Sequence, residues 1–468
     1  MTARRRTAAG RGIVSFMKHL GAAVLTVAAL ACTTVTGCSS SALPYMQNGA
    51  PLRQLSGTGA GKIDHIVYIV QENRSFNDLF NGYPGAYTVK KGATSNGTIV
   101  PLTPVALTVQ YTIDHSFQSM VDACNGTGPL PGTDCRMNGF DKEPHSGGPG
   151  NYPEYVYVPH SDSKPYFDMA HEGALADHMF QSQLDESFVA HQYIIAAQAA
   201  WSVDLPSGAW GCGGGSYDTV PIISPKRTIE KQTQSPCYDY TTLGDELDAA
   251  KLTWRFYAAT YGSASSGDGA VWSSYQAIRH IYKGKDWKKD VISPNWRFIT
   301  DVRAGNLANF TWITPVCDDS DHVNCSGGFG PSWVSALVNA VGRSKFWNST
   351  AIFIQWDDWG GLYDPVAPPP PYDRGGLGFR VPLLMLSPYV KHGFVSHTQY
   401  ETASVLKFAE ELWGLPQMAQ ADKRAASPAD AFDFSQAPAK WVPVKAPLPP
   451  KFFMHQQDAA NYFAPDYE

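Results

Sequence analysis

The chain has 468 residues and a net charge of −6, with 17% charged residues against 12% aromatic ones. The negative balance argues against nucleic-acid binding, which rewards clustered Lys and Arg. So few charges beside many aromatics, glycines and prolines exclude a disordered chain and favour a compact, loop-rich exported enzyme.

Residues 1–38 read as an export signal. Arg4, Arg5, Arg6, Arg11 and Lys18 form a basic leader, and the apolar run over residues 22–31 is too short to span a bilayer. It ends in Val35-Thr36-Gly37-Cys38. A small residue directly before a cysteine resembles a lipoprotein cleavage box, which would make Cys38 the lipidated first mature residue and a membrane anchor. Plain secretion with cleavage nearby is the rival reading. The expected location is therefore exported: a periplasmic or cell-surface lipoprotein, or a secreted protein. Residues 39–61 are rich in Ser and Gly and read as a tether. Residues 62–468 are expected to form one domain, with a Pro/Ala-rich tail after residue 416.

The first predicted strand covers residues 63–70, apolar from Ile66 onward as expected of a strand buried on both faces. It runs directly into Gln71-Glu72-Asn73-Arg74. Residues 81–160 carry many Gly and Pro and read as long loops. A helix follows Ser187 through Ile195. Further strands are predicted at 253–258, 310–314, 351–356 and 381–386, with helices near 240–250, 331–343 and 398–413. This alternation indicates an α/β fold: a three-layer sandwich whose central, mainly parallel sheet has helices on both faces. Six cysteines follow the leader, and in an oxidising compartment an even number favours disulfides. Sequence-local pairing would join Cys124 to Cys135, Cys212 to Cys237 and Cys317 to Cys325.

Ligands of open α/β sheets bind beyond the carboxyl ends of the strands. Two predicted strands deliver acidic side chains there: Glu72 with Asn73, and Asp357 with Asp358. A carboxylate just past an apolar strand is costly to desolvate unless paired or metal-bound. Either pair alone could be a turn or a cap; two pairs ending parallel strands of one sheet are harder to dismiss. Ser187 sits where a helix begins and could be a simple N-cap. Equally, the backbone N–H groups of a helix start would face an anion that the serine attacks, and a neighbouring metal would favour its alkoxide. His115 and His322 lie in loops; a loop histidine is commonly just solvated, but it can also donate to an oxyanion or protonate a leaving group.

These motifs resemble a known family. Ile66-Val67-Tyr68-Ile69-Val70-Gln71-Glu72-Asn73-Arg74-Ser75-Phe76 is similar to the opening signature of the bacterial phosphoesterases, which include phospholipases C and an acid phosphatase branch. Trp356-Asp357-Asp358-Trp359-Gly360-Gly361-Leu362-Tyr363-Asp364 resembles their second signature. Asn138-Gly139-Phe140, Ser187-Phe188-Val189-Ala190-His191-Gln192, Ser320-Asp321-His322 and Gly378-Phe379-Arg380-Val381-Pro382 extend the likeness over residues 62–415. The resemblance implies an alkaline-phosphatase-like sandwich. It further implies one divalent metal ion held by Glu72, Asn73, Asp357, Asp358 and Ser187, with Ser187 as the nucleophile and His115 and His322 contacting the phosphoryl group or leaving oxygen. The chain departs from the family at Pro365, where many members carry a histidine. His191 shares the helix face of Ser187 and would either orient the site or pack structurally.

An all-oxygen ligand set suits Mg²⁺, Mn²⁺ or Ca²⁺, although Zn²⁺ also accepts carboxylates. No histidine set for a second metal is evident, so one ion is expected. The substrate class implied is a phosphorylated small molecule or a phospholipid, with no nucleic-acid partner. The surround of Ser187 resembles the acid phosphatase branch more than the phospholipase branch. This ranks a broad phosphomonoesterase first and a phospholipase C second. A surface lipoprotein that binds phosphorylated ligands without hydrolysing them is the reading from another class.

Overall fold

The computed structural model describes residues 58–259, 272–370 and 373–456. The leader, the Cys38 box and residues 39–57 of the expected tether lie outside the described residues. Eight strands build the central sheet: β1 (His65–Gln71), β2 (Ala174–Ala176), β3 (Trp254–Tyr257), β4 (Val291–Ile292), β5 (Phe310–Ile313), β6 (Thr350–Trp356), β7 (Leu383–Leu386) and β8 (Phe394–Ser396). Their spatial order is β4-β3-β5-β1-β6-β7-β2-β8. Only β7 opposes the rest. It pairs antiparallel with β6 and β2, whereas β1 runs parallel to β5 and β6, β3 to β4 and β5, and β8 to β2.

Six helices cover this sheet: α1 (His160–Glu172), α2 (Ser187–Ala196), α3 (Leu243–Ala249), α4 (Arg297–Arg303), α5 (Gly330–Gly342) and α6 (Ala403–Trp413). They form two layers, α1 and α4 packing on α5, and α3 and α6 packing on α2. Strand β6 shows why both faces are covered. Successive side chains of a strand point to opposite faces. Phe353 meets Phe408 of α6 at 5.2 Å, while Trp356, an odd number of positions on, meets Tyr166 of α1 at 4.9 Å. The all-apolar run Ala351-Ile352-Phe353-Ile354 fits a central strand buried on both faces. The expected three-layer α/β sandwich holds.

The region read as long loops, residues 81–160, contains short paired strands, among them Lys91–Ala93 with Ile99–Pro101 and Thr112–Ile113 with His145–Ser146, and a helix at Phe117–Cys124. Phe140 of the Asn138-Gly139-Phe140 motif is a packing residue. Its ring lies 5.7 Å from Trp359, 5.1 Å from Tyr363 and 5.4 Å from Phe379, so it supports the second signature from below. The three sequence-local disulfides form as expected, with Cα separations of 4.6, 4.6 and 5.5 Å.

Glu410 on α6 is buried, and burial, reinforced by the adjacent Asp422 carboxylate, pushes its pKa up to about 9. A carboxyl group that binds its proton more tightly when folded makes the folded state less favourable as pH rises from its ordinary range towards that value. Glu410→Gln is therefore expected to raise the melting temperature at pH 9 more than at pH 5. Thermal denaturation across that range checks it; an equal shift at both pH values would refute the assignment.

Candidate active site

The register Gln71↔Trp356 brings β1 and β6 to an end side by side, so Glu72-Asn73 and Asp357-Asp358 leave the sheet as neighbours. All four side chains are buried. Asn73 adopts φ 56°, a left-handed conformation that asparagine tolerates better than most residues. That turn aims its backbone N–H at Asp357 Oδ1 (3.0 Å) and its side-chain Nδ2 at both oxygens of Asp358 (3.0 and 3.1 Å). The strand ends are cross-tied by Asp357 N–H donating to Gln71 O and Arg74 N–H donating to Asp358 O. Gly360 closes the turn, its N–H donating to Asp358 Oδ1 at 2.8 Å. Its φ is 61°, and a Cβ there would lie 2.4 Å from Asn73 O, so both conformation and space require glycine.

Ser187 is the first residue of α2; the N-cap is Glu186, whose side chain makes no capping bond. The capping alternative therefore does not apply to Ser187. Its hydroxyl instead donates to Asp358 Oδ2 at 3.2 Å, joining the serine to the acidic strand end. Helix α2 is buried at every position, as a helix without a polar face must be. Its last turn is anchored by Trp312 Nε1 donating to Ile194 O.

The histidines converge on the same point. His115 Nδ1 donates to Ile113 O at 3.0 Å, which leaves Nε2 to accept from Asn73 Nδ2 at 3.0 Å. The same Nε2 stands 4.0 Å from Asp358 Oδ2 and from Glu186 Oε2. The His115 and His322 rings lie 5.8 Å apart, and Trp272 stacks on His322. His322 Nδ1 accepts from the Asn324 backbone N–H at 3.4 Å, so its Nε2 carries the ring hydrogen. His191, for which the sequence left two readings open, faces the site. Its Nε2 is 3.1 Å from Glu72 Oε1 and 3.6 Å from Asp357 Oδ2, and Ser274 lies 3.5 Å from its Nδ1.

Several residues to which the sequence assigned no role hold this arrangement. Gln71 reaches across the sheet edge, donating to Asp319 O and accepting from Asp321 N–H. Asp321 in turn accepts from Tyr166 and from Trp356 Nε1 at 2.8 and 3.0 Å, while its carbonyl takes Arg74 Nε at 2.7 Å. Burial raises its pKa to about 6 against the opposing pull of Arg74. With the Cys317–Cys325 disulfide, these bonds fix the loop that presents His322. At the end of the second signature, Asp364 is paired with buried Arg380 at 3.0 Å. The Pro365 departure thus falls beside a structural ion pair.

The side chains present fit a divalent cation. Asp357 Oδ2 and Asn73 Oδ1 are buried with no hydrogen-bond partner, and a buried polar oxygen is costly unless a donor or a cation meets it. One ligand atom each from Glu72, His191 and Asp357 lies within 4.8 Å of the others. His191 thus stands an imidazole nitrogen beside oxygen atoms that the sequence had presented alone, and such mixed surroundings also suit Zn²⁺.

The sequence model of the Phosphoesterase family matches residues 63–416. Among similar proteins, "Phospholipase C A" of Mycobacterium tuberculosis is 24% identical over 464 residues, covering 87% of this chain and 85% of that protein. "Non-specific phospholipase C1" of Arabidopsis thaliana is 23% identical over 437 residues, covering 83% and 74%. A solved structure described as a protein in the alkaline phosphatase superfamily from Vibrio parahaemolyticus is similar at 10% identity and a TM-score of 0.37, covering 80% of this chain and 73% of that one. Both signatures, the serine between them and a match over most of the chain make it a phosphoric ester hydrolase belonging to the Phosphoesterase family.

Proposed function

We propose that this hydrolase acts as a broad phosphomonoesterase through a phosphoserine at Ser187, with one divalent cation held by Glu72, Asn73, Asp357, Asp358 and Ser187. The single observation that carries the reading is the Ser187–Asp358–Asn73 contact chain, in which one hydroxyl touches a buried group of potential cation ligands. When bound, the cation lowers the pKa of the serine hydroxyl and offsets phosphate charge. The Ser187 hydroxyl hydrogen points at Asp358 Oδ2, which receives it as Oγ bonds to phosphorus. The bond from phosphorus to the leaving oxygen breaks in the same displacement. His322, with its hydrogen on Nε2, donates a hydrogen bond to the departing oxygen, which takes its proton from water. His115, fixed by Ile113 O, keeps Asn73 oriented. Water then attacks the phosphoserine, breaking the Oγ–P bond, releasing phosphate and restoring the hydroxyl.

The monoester preference rests on the Ser-Phe-x-x-His-Gln surround of Ser187, which resembles the acid phosphatase branch. Phospholipase C activity is the second reading, favoured by the names of the similar proteins. Parallel assays on p-nitrophenyl phosphate and on phosphatidylcholine vesicles separate the two. Faster monoester turnover is expected; lipid cleavage without monoester turnover would reverse the order.

A further inference from the structure

We propose a second cation site, formed by Asp177, His178 and His397, that takes a zinc-type divalent ion and clamps the edge of the sheet. These residues follow the carboxyl ends of β2 and β8, which pair in parallel with Ser396 opposite Ala176. The next positions along, Asp177 and His397, therefore emerge together although 220 positions separate them in the chain. That separation is why the sequence alone offered no histidine set for a second metal.

The carboxylate is buried and the two imidazoles reach solvent, with side-chain exposures of 35% for His178 and 63% for His397. Nδ1 of each ring lies 2.8 Å from the same oxygen, Asp177 Oδ1. The rings stand at 88° to one another with centroids 6.2 Å apart, and one ligand atom from each of the three residues lies within 4.8 Å of the others. The carboxylate is pre-positioned from behind. Its other oxygen accepts Tyr87 N–H at 3.0 Å, its backbone carbonyl accepts Arg380 Nη1 at 2.8 Å, and its N–H donates to Ser396 O at 3.1 Å. Burial alone would raise the Asp177 pKa, but hydrogen bonds from His178, Tyr87 N–H and His397 bring it down to about 2.

Two imidazoles and one carboxylate, with the outer side open to water, match zinc-type ions rather than Mg²⁺ or Ca²⁺. With its hydrogen on Nε2, each ring would offer the Nδ1 lone pair to the ion in place of the hydrogen bond to Asp177. Strand β8 has three residues and, among the described residues, only β2 beside it in the sheet. A cation shared between Asp177-His178 and His397 would tie it down, and an ion that binds the folded state raises the melting temperature.

The test is equilibrium dialysis of the full chain against micromolar ZnCl2, with metal counted by mass spectrometry and p-nitrophenyl phosphate turnover measured in parallel. His397→Ala and His178→Ala are each expected to weaken one zinc equivalent by at least about tenfold, since even losing a residue that only orients a ligand costs that much. Turnover is expected to stay at the wild-type level, and the zinc-dependent rise in melting temperature to shrink. Variants that bind as many equivalents as wild type overturn the site, and so does an equivalent lost together with turnover. Asp357→Asn separates the two metal assignments. If it keeps every equivalent while His397→Ala loses one, the active-site reading fails and the edge site stands.

Discussion

Ser187→Ala is expected to lower kcat on p-nitrophenyl phosphate by at least about 10³-fold, because removing the attacking atom eliminates the covalent route and leaves only slower hydrolysis by water. The fold should tolerate the change. Ser187 is buried in the first turn of α2 with one hydrogen bond, to Asp358, so the variant loses one oxygen and about 1 kcal/mol of bonding, partly recovered by the helix propensity of alanine. The decisive measurement is acid quenching of turnover on ³²P-labelled substrate. Wild type should retain label on the peptide containing Ser187, and the variant should retain none. If Asp358 instead activated a water molecule directly, no label would appear in either protein and the alanine variant would hydrolyse at a comparable rate. Unchanged turnover would therefore end the covalent mechanism while leaving the acidic cluster in place.

What the sequence revealed of this site, and what it concealed, follows from the physics of each element. Strands β1 and β6 were legible because both are apolar on two faces and break abruptly into acids and amides, the pattern expected of central strands that end in buried polar groups. Strands β2, β4 and β8 are two or three residues long and show no period to detect. Helix α1 was hidden by Pro165 inside it and by its polar first turn. The reversed direction of β7 is a tertiary fact; Leu383-Leu384-Met385-Leu386 would read the same either way. Among site residues, Glu72, Asn73, Asp357 and Asp358 announced themselves at strand ends. The geometry resolved two ambiguities, removing the cap reading for Ser187 and turning His191 towards Glu72. Gln71 and Asp321 lay within the motifs but received no role, because their work is across the chain and no local pattern marks a side chain that ties two distant loops together.

Asp357→Asn is expected to have opposite effects on stability with and without metal, and this crossing tests the cation site more sharply than loss of activity alone. Asp357 uses Oδ1 to accept Asn73 N–H, while Oδ2 has no hydrogen-bond partner and faces His191. The asparagine variant can keep the first contact through its amide oxygen but presents an NH₂ group where an oxygen ligand stood. With metal saturating, the wild type should therefore melt higher, and the variant should bind the ion at least about 10²-fold more weakly, a loss of about 2.7 kcal/mol. Under chelator the order should reverse or vanish. Buried like charges without a counter-ion oppose folding, and the substitution removes one of three carboxylates gathered with Asn73 and His191. Turnover should disappear on chelation in the wild type and return when Mg²⁺, Mn²⁺ or Zn²⁺ is restored, the most effective ion reporting whether oxygen or imidazole donors dominate. Scanning calorimetry of both proteins with and without chelator reads the crossing. A wild type whose melting temperature and turnover ignore the chelator would mean that the buried oxygens at Asn73 and Asp357 are met by something other than a metal ion.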